Sequence, residues 1–237
     1  MKKTIYVFGS LLMALMLSGC ATSLSLADLR PEGALANLLP TLSPEIDTYS
    51  LESVYSSWPQ RYSRGTGVGV SLSSTDDERM SDSYIYIDTP SSRRHFRDQR
   101  VQDAVTIFTR EVTENISRPT GPTRGTVNCR IASGSAEMRG QGLLLLSGCF
   151  FLVPSLLGLP YGFSVTELDV NCDIYDSRGD CIGRYNAIGK CRIPLTFYTS
   201  YSSTDRKTAV EALKKAMKEI KLQIERDSAR LTSALQQ

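Results

Sequence analysis

The stretch Ser164–Asp180, SVTELDVNCDIYDSRGD, decides the fold. Apolar or small side chains alternate with polar ones along most of it, and the side chains of a strand point alternately to its two faces. The stretch therefore predicts a strand with one buried face and one solvated face. The DSRGD sequence is typical of a hairpin turn with Gly179 in the left-handed conformation. The next stretch, CIGRYNAIGKCRIPLTFYTSY (Cys181–Tyr201), is predicted to return as the paired strand.

Two helices are predicted on either side of this strand pair. In RDQRVQDAVTIFTREVTENI (Arg97–Ile116), apolar residues recur every three or four positions, as on one face of a helix. In the C-terminal segment, Ser203 or Thr204 is a suitable N-cap, and past Asp227 we expect a polar tail. The buried stripe predicted for the second helix consists of Val210, Leu213, Met217, Ile220 and Ile224.

Further short strands are predicted around the first helix. Val68 and Val70 in GTGVGVSLSS (Gly65–Ser74) predict one short strand, and Ile85 and Ile87 in SYIYIDTP (Ser83–Pro90) predict another. GTVNCRIASGSAEM (Gly125–Met138) is predicted to be a half-buried strand. Helices gathered on one face of a largely antiparallel sheet define the α+β class. We therefore predict a two-layer α+β sandwich with two amphipathic helices on one face.

An apolar insert interrupts the strands. Gly142–Phe163, GLLLLSGCFFLVPSLLGLPYGF, carries no charge. Its length suits a membrane helix, but Pro154 in its middle favours a hairpin of two apolar arms. Three interpretations stay open: contact with a membrane or partner, packing within the domain, or a true span. The residues predicted to make a membrane or partner contact are Leu145, Phe150, Phe151, Leu156 and Leu157.

The first nineteen residues have the features of a secretory signal peptide. Lys2 and Lys3 precede an apolar run from Ile5 to Leu17 that is too short to span a bilayer comfortably. The following Leu17-Ser18-Gly19-Cys20 resembles the lipobox of bacterial lipoproteins.

The lipobox resemblance implies cleavage before Cys20, whose sulfur and new amino group then carry fatty chains, as diacylglycerol and palmitate. Ala21 stands where lipoproteins of the inner membrane often have Asp. The resemblance thus implies a cell outer membrane address, with the body in the periplasm.

Three segments are predicted: a signal peptide at 1–19, a lipidated tether at 20–66, and an α+β domain at 67–237 that contains the insert at 142–163. The prolines and serines of residues 20–66 favour a tether. Its aromatic cluster around Trp58 has two interpretations, a membrane interface or a segment docked on the domain.

Composition argues against several function classes. Without Lys2 and Lys3, the mature chain has 25 basic and 25 acidic residues, so it lacks the electrostatic footprint of a nucleic-acid-binding protein. The one histidine, His95, is predicted to be a solvated residue at a helix start, which leaves little for a histidine triad or a zinc site. We predict no catalytic residue, no metal and no cofactor.

The chain has six cysteines. One is the lipid-bearing Cys20, and Cys149 lies in the insert. An exported protein meets an oxidising compartment, where disulfides are allowed. The other cysteines are either small buried residues or disulfide partners, and the spacing does not determine which. The four that are predicted to face inward and to be disulfide candidates are Cys129, Cys172, Cys181 and Cys191.

The overall layout is similar to that of small envelope lipoproteins, including the lipopolysaccharide-assembly lipoprotein. The shared features are a lipobox, a compact sheet with two helices, a C-terminal helix such as AVEALKKAMKEI (Ala209–Ile220), and an apolar hairpin before a strand pair with an Asp-x-x-Gly turn. The similarity covers residues 66–225 and implies no functional residue other than Cys20.

The resulting hypothesis is a lipid-anchored, non-enzymatic accessory or assembly protein of the bacterial cell envelope. It would be held to the membrane by its lipid and would contact a membrane or an envelope membrane-protein partner through the insert. The alternative is a periplasmic carrier of a lipid or another apolar ligand.

Overall fold

In the part of the chain that the structure describes, the fold consists of a four-stranded sheet and four α-helices. The computed structural model describes residues 24, 28–30, 33–58, 90–139, 160, 162–196 and 201–236. The strands are β1 (Leu42–Ile46), β2 (Gly125–Arg139), β3 (Gly162–Asp176) and β4 (Cys181–Leu195). The helices are α1 (Thr48–Ser57), α2 (Pro90–Arg110), α3 (Tyr201–Arg226) and α4 (Ser228–Leu235), and a π-helical turn at Glu111–Ile116 continues α2.

The strand order in the sheet is β1-β2-β3-β4. Strands β2, β3 and β4 pair antiparallel as consecutive hairpins, whereas β1 pairs parallel with the first residues of β2. The sheet therefore has two distinct ends. We call the end with the pairs Arg139–Phe163 and Gly162–Leu195 the insert end, and the end with the pairs Gly125–Asp176 and Tyr175–Cys181 the turn end.

Strand β3 has the two faces that its sequence predicts. Leu168, Val170, Cys172 and Ile174 are fully buried on the face that the helices cover. The intervening residues point to the open face, where Lys190 of β4 pairs with the Glu167 carboxylate at 2.8 Å. The predicted α+β class, with helices packed on a largely antiparallel sheet, is confirmed.

The β3–β4 turn also forms as predicted. Gly179 has φ +88°, the left-handed conformation that glycine adopts without strain. The Asp176 carboxylate accepts hydrogen bonds from the backbone N–H of Arg178 at 2.8 Å and of Asp180 at 2.9 Å. The N–H of Asp180, followed by the Arg178 groups, holds the pKa of Asp176 below its ordinary value despite some desolvation.

Helix α3 packs directly on β4. A Cβ atom added at Gly189 would overlap the backbone carbonyl oxygen of Ala212, so glycine is what permits this close approach. The helix begins at Tyr201, before the predicted cap residues. The predicted polar tail after Asp227 is wrong: α4 forms there and buries Leu231 and Leu235, because these two leucines, four apart, form an apolar stripe.

The interpretation of residues 20–66 as a tether is wrong for the described part of that segment. Residues 42–57 form β1 and α1, and the buried core includes Leu35, Leu39, Leu51 and Trp58. The apolar residues of this segment are buried against α2, α3 and β2. The folded unit therefore begins well before residue 67, and Trp58 is docked on the domain.

Residues 33–41, which we call the strap, are tied to the turn end of the molecule. The backbone N–H of Leu35 donates to the carbonyl of Asn115, and Lys221 of α3 donates to the carbonyl of Gly33, at 2.9 and 2.7 Å. Further upstream, Leu24 packs against the core. The strand predicted at 65–74 lies outside the described residues, as do residues 83–89 of the strand predicted at 83–90, while Pro90 begins α2.

Candidate functional site

The apolar insert is attached where two paired strands end. Arg139, the last residue of β2, lies opposite Phe163 of β3, and Gly162 lies opposite Leu195 of β4. Neighbouring strands are about 5 Å apart, so the two ends of the insert leave the sheet side by side. Gly162 and Phe163, predicted as the last insert residues, belong to β3.

Arginine side chains surround the base of the insert on the open face of the sheet. The guanidinium of Arg192 lies over the Phe163 ring, 3.7 Å from its centroid. Arg139 pairs with Glu137 at 2.9 Å and remains 62% exposed. An arginine over an aromatic face gains a cation–π interaction while its charge stays accessible. This end of the molecule thus presents an aromatic ring and two guanidinium groups beside the apolar insert.

On the opposite, helix-facing side of the insert end lie three buried hydroxyl groups. Thr208 of α3 donates to the carbonyl of Thr204 at 2.6 Å and lies 3.3 Å from the Ser164 hydroxyl. The Thr166 hydroxyl is buried without a hydrogen-bond partner among the described residues. A nucleophilic serine needs an adjacent base, and the groups named here offer Ser164 only another hydroxyl. We therefore assign this cluster a packing role.

Two ion pairs join α2 to α3 nearby. Asp103 accepts two hydrogen bonds from Arg206, at 2.5 and 2.7 Å, and Arg100 pairs with the buried Asp205. Arg100 also lies 5.2 Å from the Trp58 ring centroid. Each of these four charges is matched by an opposite one, so the ion pairs hold α2 against α3. We call the four side chains, Arg100, Asp103, Asp205 and Arg206, the clamp.

Tyr55 of α1 and Trp58, which directly follows α1, complete this clamp. Tyr55 and Trp58 meet edge to face, with ring centroids 4.9 Å apart. Burial raises the pKa of Tyr55 far above its ordinary value, against the opposing charge of Arg100. A neutral, buried phenol of this kind is a packing group rather than a general base.

A third ion pair is buried between the π-helical turn and α3. Lys221 lies 2.8 Å from the Glu111 carboxylate, which also accepts a hydrogen bond from Asn115 at 2.8 Å. Desolvation raises the pKa of Glu111, while Lys221 and Asn115 oppose that shift. Because Lys221 also holds Gly33, this pair links the strap to both helices.

Sequence reasoning missed these buried charges, although a signal for one pair exists. Glu111 is seven positions after Ala104, and Lys221 is four positions after Met217, so each falls on the apolar stripe of its helix. A charged residue at a stripe position indicates a buried partner on a facing helix.

A shallow polar cavity of about 240 Å³ lies on the open face at the turn end. Its walls carry both signs of charge, and Arg130 is 3.5 Å from Asp173 across it. The cavity is lined by Glu45, Ile46, Asp47, Asn128, Arg130, Asp173 and Tyr175.

Three of the four cysteines predicted to face inward do so. Cys129, Cys172 and Cys191 are buried in the core, whereas Cys181 is exposed, so its predicted orientation is wrong. The register of β4 shifts between the pairs Ile174–Gly183 and Tyr175–Cys181. One extra residue in a strand moves the side chains beyond it to the other face, and no pattern of polarity marked this shift.

The other predicted site residues lie outside the described residues. These are the lipidation residue Cys20 and the contact residues Leu145, Phe150, Phe151, Leu156 and Leu157. In the described part of the chain, none of the helices combines the length and the apolarity needed to cross a bilayer. No protein-family model matches this chain, and a search of curated proteins found no match to it.

Proposed function

We propose that the chain is a lipid-anchored, non-enzymatic accessory or assembly protein of the bacterial cell envelope. Its lipid is carried by Cys20, its address is the outer membrane, and its body lies in the periplasm. The apolar insert, Gly142–Phe163, contacts a membrane or a membrane-protein partner. The observation that carries the proposal is the Leu-Ser-Gly-Cys sequence directly after a basic and apolar N-terminal run.

The position of Leu24 indicates that only a short stretch of chain separates Cys20 from the folded body. Leu24 packs against the core and is only four residues after Cys20. Four residues reach at most about 14 Å when fully extended. A fatty chain on Cys20 therefore holds the folded body close to the bilayer surface rather than at the end of a long tether.

The base of the insert supports a contact role. Arg139 and Arg192 lie beside the point where the charge-free insert leaves the sheet. Arginine places its aliphatic stem along apolar surface while its head stays among polar groups. This pairing of an apolar segment with flanking guanidinium groups suits the boundary of a bilayer or of a membrane protein.

The packing between sheet and helices favours an accessory role over a carrier. An added Cβ at Gly134 would meet Leu168 and Val54, and one at Gly189 would meet the backbone of α3. These contacts occupy the space in which a carrier would hold its ligand, so an apolar ligand would have to displace core side chains.

The anchor is tested with Cys20→Ala in cells given labelled palmitate. We expect the variant to lose the label and to leave the membrane fraction, since a single anchoring cysteine carries the acyl chains. Incorporation equal to that of the parent chain would contradict the proposal.

The contact is tested with Leu145, Phe150 and Leu156 changed together to serine in a protein still lipidated at Cys20. We expect crosslinks formed in cells through the insert to be lost. The matched control changes three exposed apolar residues elsewhere, Tyr49, Ile188 and Leu222, to serine. Unchanged crosslinks in the insert variant would contradict the contact, and a stoichiometric lipid that copurifies with the protein would favour the carrier.

A further inference from the structure

We propose that Cys129 and Cys172 form a disulfide bond that ties β2 to β3 beneath α3. This inference rests on the proposed function in one respect, namely that the chain is exported to an oxidising compartment. It assigns a pairing where the cysteine spacing leaves several open.

The two residues are placed for a bond. Cys129 and Cys172 are directly opposite each other on antiparallel strands, and their Sγ atoms are 3.4 Å apart and unbonded in the structure. Directly opposed residues have Cα atoms about 4.5 or 5.5 Å apart, inside the range of roughly 4.4–6.8 Å found for disulfides. Side-chain rotation with little backbone movement therefore brings the sulfur atoms together.

The other described cysteines are placed elsewhere. Cys191 lies opposite Thr166, six residues along β3 from Cys172, which corresponds to about 20 Å. Cys181 lies opposite Tyr175 and is on the open face. Within the described residues, the geometry thus selects one pair.

The bond forms by thiol–disulfide exchange with a protein disulfide of the oxidising compartment. One thiol loses its proton and attacks the donor disulfide, forming a mixed disulfide and releasing one donor thiolate. The second cysteine thiolate then displaces the other donor sulfur. The two cysteine thiols are oxidised to one disulfide, the donor disulfide is reduced to two thiols, and the two cysteine protons pass to them.

The burial of the two thiols determines the stage of folding at which this exchange can occur. Both thiols are completely buried in the folded chain, and Cys172 also contacts the Met217 sulfur at 4.0 Å. The hydrogen bond with Cys129 and then desolvation raise the pKa of Cys172, and only the thiolate is reactive. The bond therefore forms while the strands are pairing, before α3 covers them.

The bond closes a loop that contains the whole insert. Residues 130–171 lie between the two cysteines, and they include most of β2, the insert and the first part of β3. A closed loop of this length restricts the unfolded chain. The two strands that carry the insert then remain paired when the insert is pulled or bound.

Peptide mapping of the full chain, purified from the envelope, tests the assignment. The protein is unfolded without reductant in the presence of an alkylating reagent and is then cut after Lys, Arg and Glu. These cuts place each cysteine of the folded body in a separate peptide, with Cys129 in GTVNCR and Cys172 in LDVNCDIYDSR. We expect these two peptides to be linked and free of label before reduction, and both labelled after it.

Two variants serve as controls. Cys191→Ser should keep the link, and Cys172→Ser should leave GTVNCR labelled before reduction. Palmitate incorporation at Cys20 is measured on the same preparations. Lipidated protein with both peptides labelled would overturn the disulfide and leave the proposed function standing. Linked peptides in protein that takes up no palmitate would support the disulfide and overturn the anchor.

Discussion

At the scale of single residues, the buried ion pair of Glu111 and Lys221 has the largest expected effect on stability. Their side chains are 1% and 6% exposed, so both charges have left water. Such a pair adds little net stability compared with apolar residues, but removal of one partner leaves a buried charge without compensation. Because Lys221 also donates to the carbonyl of Gly33, its removal should weaken the attachment of the strap as well.

We predict that Lys221→Met destabilises the chain by about 3–5 kcal/mol. The Glu111 carboxylate keeps its bond from Asn115 but loses the opposite charge. The double variant Glu111→Gln with Lys221→Met should recover most of the loss because it buries no charge. The measurement is the free energy of unfolding in urea, and equal losses for the single and double variants would contradict the prediction.

The same variant should show a characteristic pH dependence. The raised pKa of Glu111 means that the folded state binds this proton more tightly than the unfolded state. Stability from this group is therefore greatest at or below the ordinary carboxyl pKa and falls as pH rises through the folded pKa. The difference between Lys221→Met and wild type should shrink as pH is lowered toward about 4.3, the ordinary pKa of a glutamate, because the buried carboxyl is then neutral.

Gly189 is a second residue at which a substitution should clearly lower stability. Gly189→Ala should cost about 1–3 kcal/mol, since the new Cβ pushes α3 away from β4 at Ala212. The matched control is Ile188→Ala on the open face, where the side chain is 63% exposed and the change should stay within about 0.5 kcal/mol. Thermal unfolding of both variants tests the contrast, and equal shifts in Tm would contradict it.

At the scale of elements, β4 is a long strand at one edge of the sheet that the described strands form. Three long side chains from α3 and α4 donate to its backbone carbonyls: Lys215 to Lys190, Gln223 to Asn186 and Arg230 to Ile182, at 3.2, 2.9 and 2.7 Å. An unprotected edge strand is a template for pairing with another chain. These side chains therefore protect β4 against strand addition.

We predict that changing Lys215, Gln223 and Arg230 together to alanine causes self-association that increases with protein concentration. The control removes the same charge from exposed positions of α3, with Lys218 and Arg226 changed to alanine. Sedimentation at several concentrations tests the prediction. If the triple variant stays monomeric at every concentration at which the control does, then Lys215, Gln223 and Arg230 do not protect β4 against strand addition.

The insert itself should be separable from the fold. Because Arg139 is paired with Phe163, a two-residue Asn-Gly turn in place of residues 141–161 can close the β2–β3 hairpin. We expect the shortened chain to retain its circular dichroism and cooperative unfolding while it loses the crosslinks of the insert. Loss of cooperative unfolding would show that the insert is part of the core.

The sequence predicted some of these elements and missed others for physical reasons. Strand β3 and the turn at Gly179 were predictable because alternation and turn chemistry are local. Strand β1 was not, because Leu42–Ile46 is short and pairs with residues about eighty positions away, which leaves no local signal. The outward position of Cys181 depends on a register shift that follows from pairing rather than from residue type.

At the scale of the whole molecule, the candidate site was only partly predictable. The proposed lipobox is a contiguous motif, and the charge-free insert is visible in composition, so reading along the chain is enough to predict both. The clamp of Arg100, Asp103, Asp205 and Arg206 was not found. Its members are about a hundred residues apart and meet only after α2 and α3 pack side by side.

The proposed lipid on Cys20 and the short distance from Cys20 to Leu24 together give a prediction for the whole protein. A ten-residue Gly/Ser insertion after Thr22 should leave palmitate incorporation unchanged and reduce the crosslinks of the insert, because the body then moves away from the bilayer. The control adds the same ten residues after Gln237. Undiminished crosslinks with the longer spacer would show that anchor length does not set the contact.

The strap has one more consequence, for the order in which the chain acquires structure during synthesis. Gly33 and Ala36 are held by Lys221 and Glu225, which are nearly 190 positions later in the chain. The strap therefore leaves the ribosome long before these two partners have been made. Leu35 and Leu39 can be covered in part once the π-helical turn after α2 has been made, because their N–H groups bond to Asn115 and Ile116, but the strap is held at both of its sides only after α3 has been made.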